Sequence, residues 1–257
     1  MARLKGKVAI VTGGARGLGG ASADALAADG ATVIITDVLD KVGEEHAAQL
    51  NKDGFNAEYH HLDVREEAAW ASVVDKVVAK HGRVDVLVNN AGITNSVTIE
   101  EATLDQLKTM FDINFVGPFL GMKAVIPVMK KTGGSIVNIS SNSTQMVLPQ
   151  TSLYGASKAA LANLTKSTAV HCAKYNIRVN SIHPGPHATD MLLGGDAKNA
   201  DIPEVRALIN AIPMKRMGTA KELATIVTFL ASDDSSYMTA SELFTDGGLT
   251  VVSFATS

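Results

Sequence analysis

Tyr154 and Lys158 lie four positions apart, and on a helix that spacing projects both side chains from one face. A free phenol titrates near 10, roughly, too high for an efficient base at neutral pH. A neighbouring ammonium favours the phenolate and lowers that value. The pair therefore suits taking a proton from a hydroxyl or returning one to a carbonyl. Tyr-x-x-x-Lys pairs are also common on helices for packing reasons, so this pair gains meaning only from its company. Ser141, at the end of an apolar β-branched run, supplies a hydroxyl that can donate to the same substrate oxygen and stabilise charge developing there.

A second group of residues can hold phosphate. Thr12-Gly13-Gly14-Ala15-Arg16-Gly17-Leu18-Gly19 follows one strand-like run and leads straight into a helical stretch. Glycines at such a junction let the backbone approach a pyrophosphate, to which a helix N-terminus offers unsatisfied N–H groups. The spacing is Gly-x-x-x-Gly-x-Gly, not Gly-x-Gly-x-x-Gly. About 20 residues beyond Gly17 comes Asp37, at the end of the second strand-like run, where a carboxylate accepts bonds from an adenosine ribose. Together the two groups point to exchange between a secondary alcohol and a ketone, with hydride passing to or from a nicotinamide.

The elements that must position these residues alternate in type. Strands are expected at 8–11, 32–35, 57–60, 84–88, 135–139, 178–182 and 242–244. Helices are expected at 18–29, 42–53, 66–81, 104–131, 154–175 and 220–231, with Pro118 and Pro127 bending or interrupting the fourth. Such alternation gives a parallel sheet covered by helices. The 257 residues, without repeats or low-complexity linkers, are read as one domain. The segment 185–212, rich in Gly, Pro and Asp, breaks the alternation where a substrate-covering loop would sit.

The 257 residues are 46% hydrophobic and 19% charged, with a net charge of −3. That balance excludes the basic footprint of a nucleic-acid binder. No uninterrupted run approaches the roughly 20 apolar residues of a membrane span. Cys172 is the one cysteine, so no internal disulfide forms and a cytoplasmic location is expected. The seven histidines show no convincing ligand spacing, and no metal is expected. Cys172, Trp70 and Met110 read as packing residues.

These motifs, taken in order along essentially the whole chain, resemble the short-chain dehydrogenase/reductase family. Thr12–Gly19 is similar to the family's nucleotide motif, Leu62-Asp63-Val64 to its adenine contact, and Asn89-Asn90-Ala91-Gly92 to the motif closing its fourth strand. Ser141, Tyr154-Gly155-Ala156-Ser157-Lys158 and Pro184-Gly185 complete the set. Within the family, Asp37-Val38-Leu39-Asp40 and Met122–Pro127 resemble bacterial hydroxysteroid and cyclic-alcohol dehydrogenases. The resemblance implies a doubly wound sheet in the order 3-2-1-4-5-6-7, a homotetramer packed through the fourth and fifth long helices, and packing of subunits by Gly247-Gly248. It implies that Asn114 holds a water against Lys158, and that Lys158 also reaches the nicotinamide ribose. In Pro184-Gly185-Pro186-His187-Ala188-Thr189 it implies contact with nicotinamide through the backbone of His187 and the hydroxyl of Thr189. The His187 imidazole is expected to stay free, at the pocket rim or in solvent.

Arg16 resembles a basic residue that members preferring the phosphorylated cofactor place on its 2′-phosphate. Asp37 opposes it, because a carboxylate repels that phosphate at close range, and neither Val38 nor Leu39 adds a cation. NAD(H) is expected. The substrate pocket is expected from 142–153, from Thr94 and Asn95, and from 185–197, with Asn95, Ser143, Leu148, Leu153, His187, Met191 and Leu192 as contacts. These segments are mainly apolar, which suits a bulky secondary alcohol such as a steroid, monoterpenol or cyclic alcohol. A 3-oxoacyl carrier-protein reductase using NADPH is the alternative, against which Asp37 and the acidic balance weigh. A non-catalytic dinucleotide-binding protein is a further one, against which the intact Ser141, Tyr154 and Lys158 weigh.

Overall fold

The computed structural model describes residues 2–194, 199 and 201–251. Seven parallel strands form one sheet in the order β3-β2-β1-β4-β5-β6-β7. They are β1 (Val8–Thr12), β2 (Thr32–Asp37), β3 (Asn56–His61), β4 (Val86–Asn89), β5 (Gly134–Ile139), β6 (Ile177–Pro184) and β7 (Glu242–Thr245). Central strands are buried on both faces, so their residues are apolar without alternation. Successive side chains nevertheless feed opposite layers. Ala9, Val11, Val33, Ile35, Val86 and Val88 pack into one core, while Val8, Ile10, Ile34 and Leu87 pack into the other.

Helices α1 (Gly17–Ala28), α2 (Asp40–Lys52) and α9 (Ala220–Ala231) cover the first core. Helices α3 (Glu67–His81), α5 (Gly117–Met129) and α6 (Ser152–Cys172) cover the second. The helix expected over 104–131 is instead two. Helix α4 (Leu104–Phe111) runs into a wide π-helical turn at Asp112–Val116, and α5 follows. Pro118 sits at the start of α5 and has no N–H to offer the Asn114 carbonyl one turn back, which is where α-helical bonding fails. Pro127 lies inside α5, and the helix continues to Met129 around it. The span 104–129 holds a stretch apolar enough to cross a membrane by composition; Leu120, Met122, Val125 and Met129 of it are buried in the second core, while Phe119 is exposed.

Within the unpatterned segment, α7 (Asp190–Leu193) and α8 (Pro203–Ala211) form, where no helix was expected. Residues 195–198 and 200 of the expected covering loop lie outside the described residues. The sheet sets the site at one edge, because every connection bearing a candidate residue leaves the C-terminal end of its strand. Strand β1 ends at the glycine turn, β2 at Asp37, β4 before Asn90, β5 before Ser141 and β6 at Pro184. Strands β1 and β4 are neighbours from which the chain departs in opposite directions, the crevice where ligands bind in such sheets.

Close packing under this crevice depends on small residues of α5. A Cβ at Gly117 would stand 2.7 Å from Val64 Cγ2, and one at Gly121 would stand 2.8 Å from the Trp70 ring and from Asn89 Oδ1. Trp70 is fully buried and donates its indole N–H to the Val64 carbonyl at 3.0 Å, which holds the segment after β3 in place. Gly121→Ala is expected to overpack this contact and lower stability by about 1–3 kcal/mol, read as a lower urea midpoint. An unchanged midpoint would mean that Trp70 moves aside without cost.

Candidate active site

The crevice opens as one cleft of about 920 Å³ over the strand ends. At its nucleotide end the glycine turn is clipped to the chain leaving β4. Thr12 Oγ accepts from the N–H groups of Asn90 and Ala91, both at 3.0 Å, and Asn90 Nδ2 donates to the Thr12 and Gly13 carbonyls at 3.0 and 3.1 Å. This close approach excludes side chains. A Cβ at Gly13 would stand 2.9 Å from Ala91 Cα, and one at Gly19 would stand 2.1 Å from the Gly13 carbonyl oxygen. Gly17 differs. Its φ of +62° requires glycine, and a Cβ there would meet nothing within 4 Å. That open space faces the start of α1, whose first turn has no acidic residue and no side-chain cap. The arrangement leaves N–H donors for an anion.

Asp37 is held by three backbone N–H groups. Its Oδ2 accepts from Ala15 at 3.1 Å, and its Oδ1 accepts from Val38 and Leu39 at 2.8 and 3.2 Å. Asp63 also lies on the cleft wall, where Arg65 grips its carboxylate at 2.9 and 3.1 Å and holds its pKa below the usual value.

At the opposite end α6 presents Tyr154 and Lys158, as their spacing requires, and Ser141 stands at the end of β5. Burial raises the Tyr154 phenol above its ordinary value, and a hydrogen bond with Ser141 pulls the other way. Lys158 is buried, donates to the Ile139 carbonyl at 2.8 Å, and has its Nζ 5.8 Å from the centre of the Tyr154 ring. Loss of water pushes its pKa down to about 8. In the protein alone desolvation sets the direction for both groups; the lowering of the phenol is expected of Lys158 acting together with oxidised nicotinamide.

Of the expected residues, Gly13, Arg16, Gly17, Leu18, Asp37, Asp63, Val64, Asn90, Ala91, Gly92, Pro184, Gly185, His187, Thr189, Ser143, Leu148, Met191 and Leu192 line the cleft with Ser141, Tyr154 and Lys158. Gly19, Asn95, Asn114 and Leu153 do not. Gly19 is a packing residue beneath the turn, and Leu153 is buried at the start of α6. Asn95 is half-buried with its Oδ1 unpartnered, off the cleft wall. Asn114 is buried in the π turn behind Gly92. Its side chain exchanges bonds with the Ile93 N–H and carbonyl, both at 2.9 Å, and donates to Ser157 Oγ at 3.1 Å. That side chain is spent on shaping the loop after β4.

His187 corrects another expectation. Its imidazole is not free, since the residue is 5% exposed, Nδ1 is 2.9 Å from the Gly185 carbonyl, and the ring fills the space that a Cβ on Gly218 would need. Backbone bonds of Pro186 and Ala188 with Gly218 fix it there. Leu208 on α8 and Leu249 after β7 also line the cleft. Nothing in the sequence set these two apart from ordinary core leucines.

A family profile described as enoyl-(acyl carrier protein) reductase matches residues 13–250. The chain is 40% identical over 255 residues to trans-4-hydroxycyclohexanecarboxylate dehydrogenase of Sinomonas cyclohexanicum, across 96% of this chain and 94% of that one. It is 43% identical over 247 residues to the 3-alpha-(or 20-beta)-hydroxysteroid dehydrogenase of Mycobacterium tuberculosis, across 96% and 90%. The crystal structure of a gluconate 5-dehydrogenase from Burkholderia cenocepacia, in complex with NADP and tartrate, matches with a TM-score of 0.90 at 33% identity over 98% of each chain. The chain belongs to the short-chain dehydrogenase/reductase family. It is therefore an oxidoreductase of a family that binds a nicotinamide dinucleotide, and the side-chain-free cradle at Gly13, Gly17 and Gly19 fits the pyrophosphate of such a group.

One strut of that cradle titrates. His46 of α2 places Nδ1 3.0 Å from the Gly14 carbonyl and Nε2 2.7 Å from Asp24 Oδ1. Both partners are acceptors, so both ring nitrogens carry protons, and the hydrogen bond to Asp24 raises the pKa above 6.5. A raised folded-state pKa gives stabilisation that is complete below pH 6.5, the unfolded value, and is lost as pH rises through the higher folded-state pKa. The stability difference between wild type and His46→Phe in urea is accordingly expected to be largest near pH 6 (roughly) and to shrink towards pH 9 or so. A difference that is flat across this range would show His46 to be neutral in the folded protein.

Proposed function

We propose that the chain is an NAD(H)-dependent dehydrogenase that interconverts a bulky, apolar secondary alcohol and its ketone. The observation that carries this reading is the single cleft itself. A proton-handling trio stands at one end, a rigid carboxylate at the other, and apolar side chains border the reacting end. Ile93, Met146, Leu148, Met191, Leu192, Leu208 and Leu249 supply that border. Among the described residues, the cations on the wall besides Lys158 are Arg16 and Arg65, which flank Asp37 and Asp63 at the nucleotide end. Among the described residues the reacting end offers a substrate carboxylate no cation besides Lys158, whereas a ring or fused-ring alcohol buries apolar area at about 25 cal/mol per Å². The relative named for hydroxysteroids supports the apolar class, and the one named for a hydroxycyclohexanecarboxylate supports a ring alcohol.

In this reading the substrate hydroxyl lies between Ser141 and Tyr154. Ser141 Oγ donates to the substrate oxygen and fixes its position. Tyr154 Oη takes the hydroxyl proton during oxidation and returns it during reduction. Lys158, held by the Ile139 carbonyl, supplies positive charge that favours the phenolate whenever it is protonated. The nicotinamide dinucleotide, when bound, accepts or gives the hydride. Gly13, Gly17 and Leu18 would hold its pyrophosphate, Asp37 its adenosine ribose, Asp63 and Val64 its adenine, and Asn90, Gly92, Pro184, Gly185 and Thr189 the nicotinamide half.

Asp37 supports NAD over NADP. Three N–H bonds fix its carboxylate and leave acceptor capacity for ribose hydroxyls, while a 2′-phosphate brings only further acceptors and negative charge. The NADP complex of the gluconate relative keeps the alternative specific and testable. A homotetramer and a cytoplasmic setting are part of the same proposal.

Absorbance of NADH during oxidation of an alcohol panel tests the reading. A bicyclic or steroidal secondary alcohol is expected to exceed 2-propanol in kcat/KM by about a hundredfold or more, since each buried CH₂ contributes about 0.8 kcal/mol. In Tyr154→Phe, turnover is expected to fall by about 10²–10⁴ while NADH fluorescence still reports binding. Equal efficiency across the panel, or a tyrosine variant retaining a tenth of wild-type turnover, would overturn the assignment. Asp37→Ser combined with Val38→Arg is expected to shift the ratio of kcat/KM toward NADP by about tenfold to a hundredfold, the value of one charged hydrogen bond. A wild type that already favours NADP would remove the basis for that expectation.

A further inference from the structure

His183 stands directly behind the site and outside the cleft. It lies on β6 and is completely buried. Its Nδ1 is 3.0 Å from the Ser141 carbonyl oxygen and 3.0 Å from Thr144 Oγ, and its Nε2 is 2.9 Å from Ser181 Oγ. The Thr144 hydroxyl itself donates to the Ser141 carbonyl at 3.0 Å. A carbonyl only accepts, so Nδ1 carries the ring proton, and Nε2 is left to accept from Ser181. Burial keeps the ring neutral by lowering its pKa. Glu242 lies 3.9 Å from Nε2 but is engaged by Lys166 at 2.8 Å, and the Phe244 ring packs 4.7 Å from the imidazole centre. One tautomer and one orientation satisfy all of these contacts.

The imidazole reaches the Ser141 carbonyl from β6, across from the Thr144 N–H and hydroxyl, which donate to it at 3.2 and 3.0 Å from its own turn. Strand pairing between β5 and β6 ends with the Ser140 N–H on the Ile182 carbonyl at 2.8 Å. Ser141 follows in extended conformation, and the chain then turns through 142–144. Its carbonyl has therefore left the ladder while still being inside the protein. We propose that His183 is a positioning residue for the reaction, which through its hydrogen bond to the Ser141 carbonyl fixes where the Ser141 hydroxyl stands relative to Tyr154. The proposal rests on the reading of Ser141 and Tyr154 as the pair that handles the substrate oxygen and proton. His183 itself touches neither substrate nor cofactor.

Side-chain isosteres separate this role from simple core filling. The amide nitrogen of asparagine overlays Nδ1 and can serve the Ser141 carbonyl. Glutamine places its amide at the Nε2 side, near Ser181, and leucine serves neither. With the best alcohol of the panel, His183→Leu and His183→Gln are expected to lower kcat about tenfold to a hundredfold, the cost of a misplaced reacting group. KM and NADH affinity stay within about threefold, and His183→Asn keeps kcat within about threefold of wild type. All three lose the Ser181 contact or the ring packing, so a purely structural role would depress them alike. A readout without turnover is the ultraviolet titration of Tyr154, isolated by subtracting Tyr154→Phe spectra. Its midpoint is expected to rise in His183→Gln, as in Ser141→Ala, and to hold in His183→Asn. Should His183→Leu fail to fold, the Asn and Gln variants carry the same contrast. Equal kcat losses in Asn and Gln, or wild-type kcat in a folded His183→Leu or His183→Gln variant, would overturn the proposal. A wild type inactive on every alcohol would instead overturn the functional reading, and the Tyr154 titration would still decide the role of His183.

Discussion

The meeting of β1 with β4 is the constraint on which the rest of the site depends. Two chain segments far apart in sequence must leave neighbouring parallel strands and touch backbone to backbone before they part. Thr12 and Asn90 make that contact hold, because each uses its side chain to satisfy the other segment's main-chain groups. Once the clip is closed, the volume over Gly17 is fixed, α1 points its N-terminus into it, and the loop carrying Gly92 is set against Lys158. The opposite wall is then determined by the register of β5 on β4 and of β6 on β5.

The two ends of the cleft obey different electrostatics. At the nucleotide end the charged groups are partly solvated and paired, as with Asp63 and Arg65, or saturated with backbone N–H donors, as with Asp37. At the reacting end Lys158 is stripped of water and rests on a single carbonyl. Burial there raises the phenol and lowers the ammonium together, so the proton balance of the pair responds to whatever charge next enters the site.

Sequence patterning carried the fold well because the strands that matter are central, and a strand buried on both faces is rich in apolar, mostly β-branched residues without alternation. The helix bearing Tyr154 and Lys158 was legible for a similar reason, since a fixed spacing on α6 leaves only one relative placement for the two. Patterning failed where tertiary contacts overrode local preference. The π turn at 112–116 has no composition of its own, and the prolines that hinted at it mark only one boundary. The expectation for His187 failed because nothing local shows that Gly218, on a distant loop, leaves a space the size of an imidazole. Leu208 and Leu249 were invisible as wall residues because an apolar side chain facing a cleft and one facing a core are the same letter.

The wide turn between α4 and α5 has a consequence for how this chain can vary. Each residue of an α-helix advances the side-chain direction by about 100°, and one extra residue in a turn resets the phase of everything that follows. The two halves of 104–129 therefore behave as a shaft with a keyed joint. Asn114 is keyed to the loop after β4, while Gly117 and Gly121 are keyed to Val64 and Trp70. Removing a single residue from 112–116 would leave composition and length almost untouched yet rotate one key out of its slot, so outside Asn114 this short stretch tolerates substitution better than a change in length.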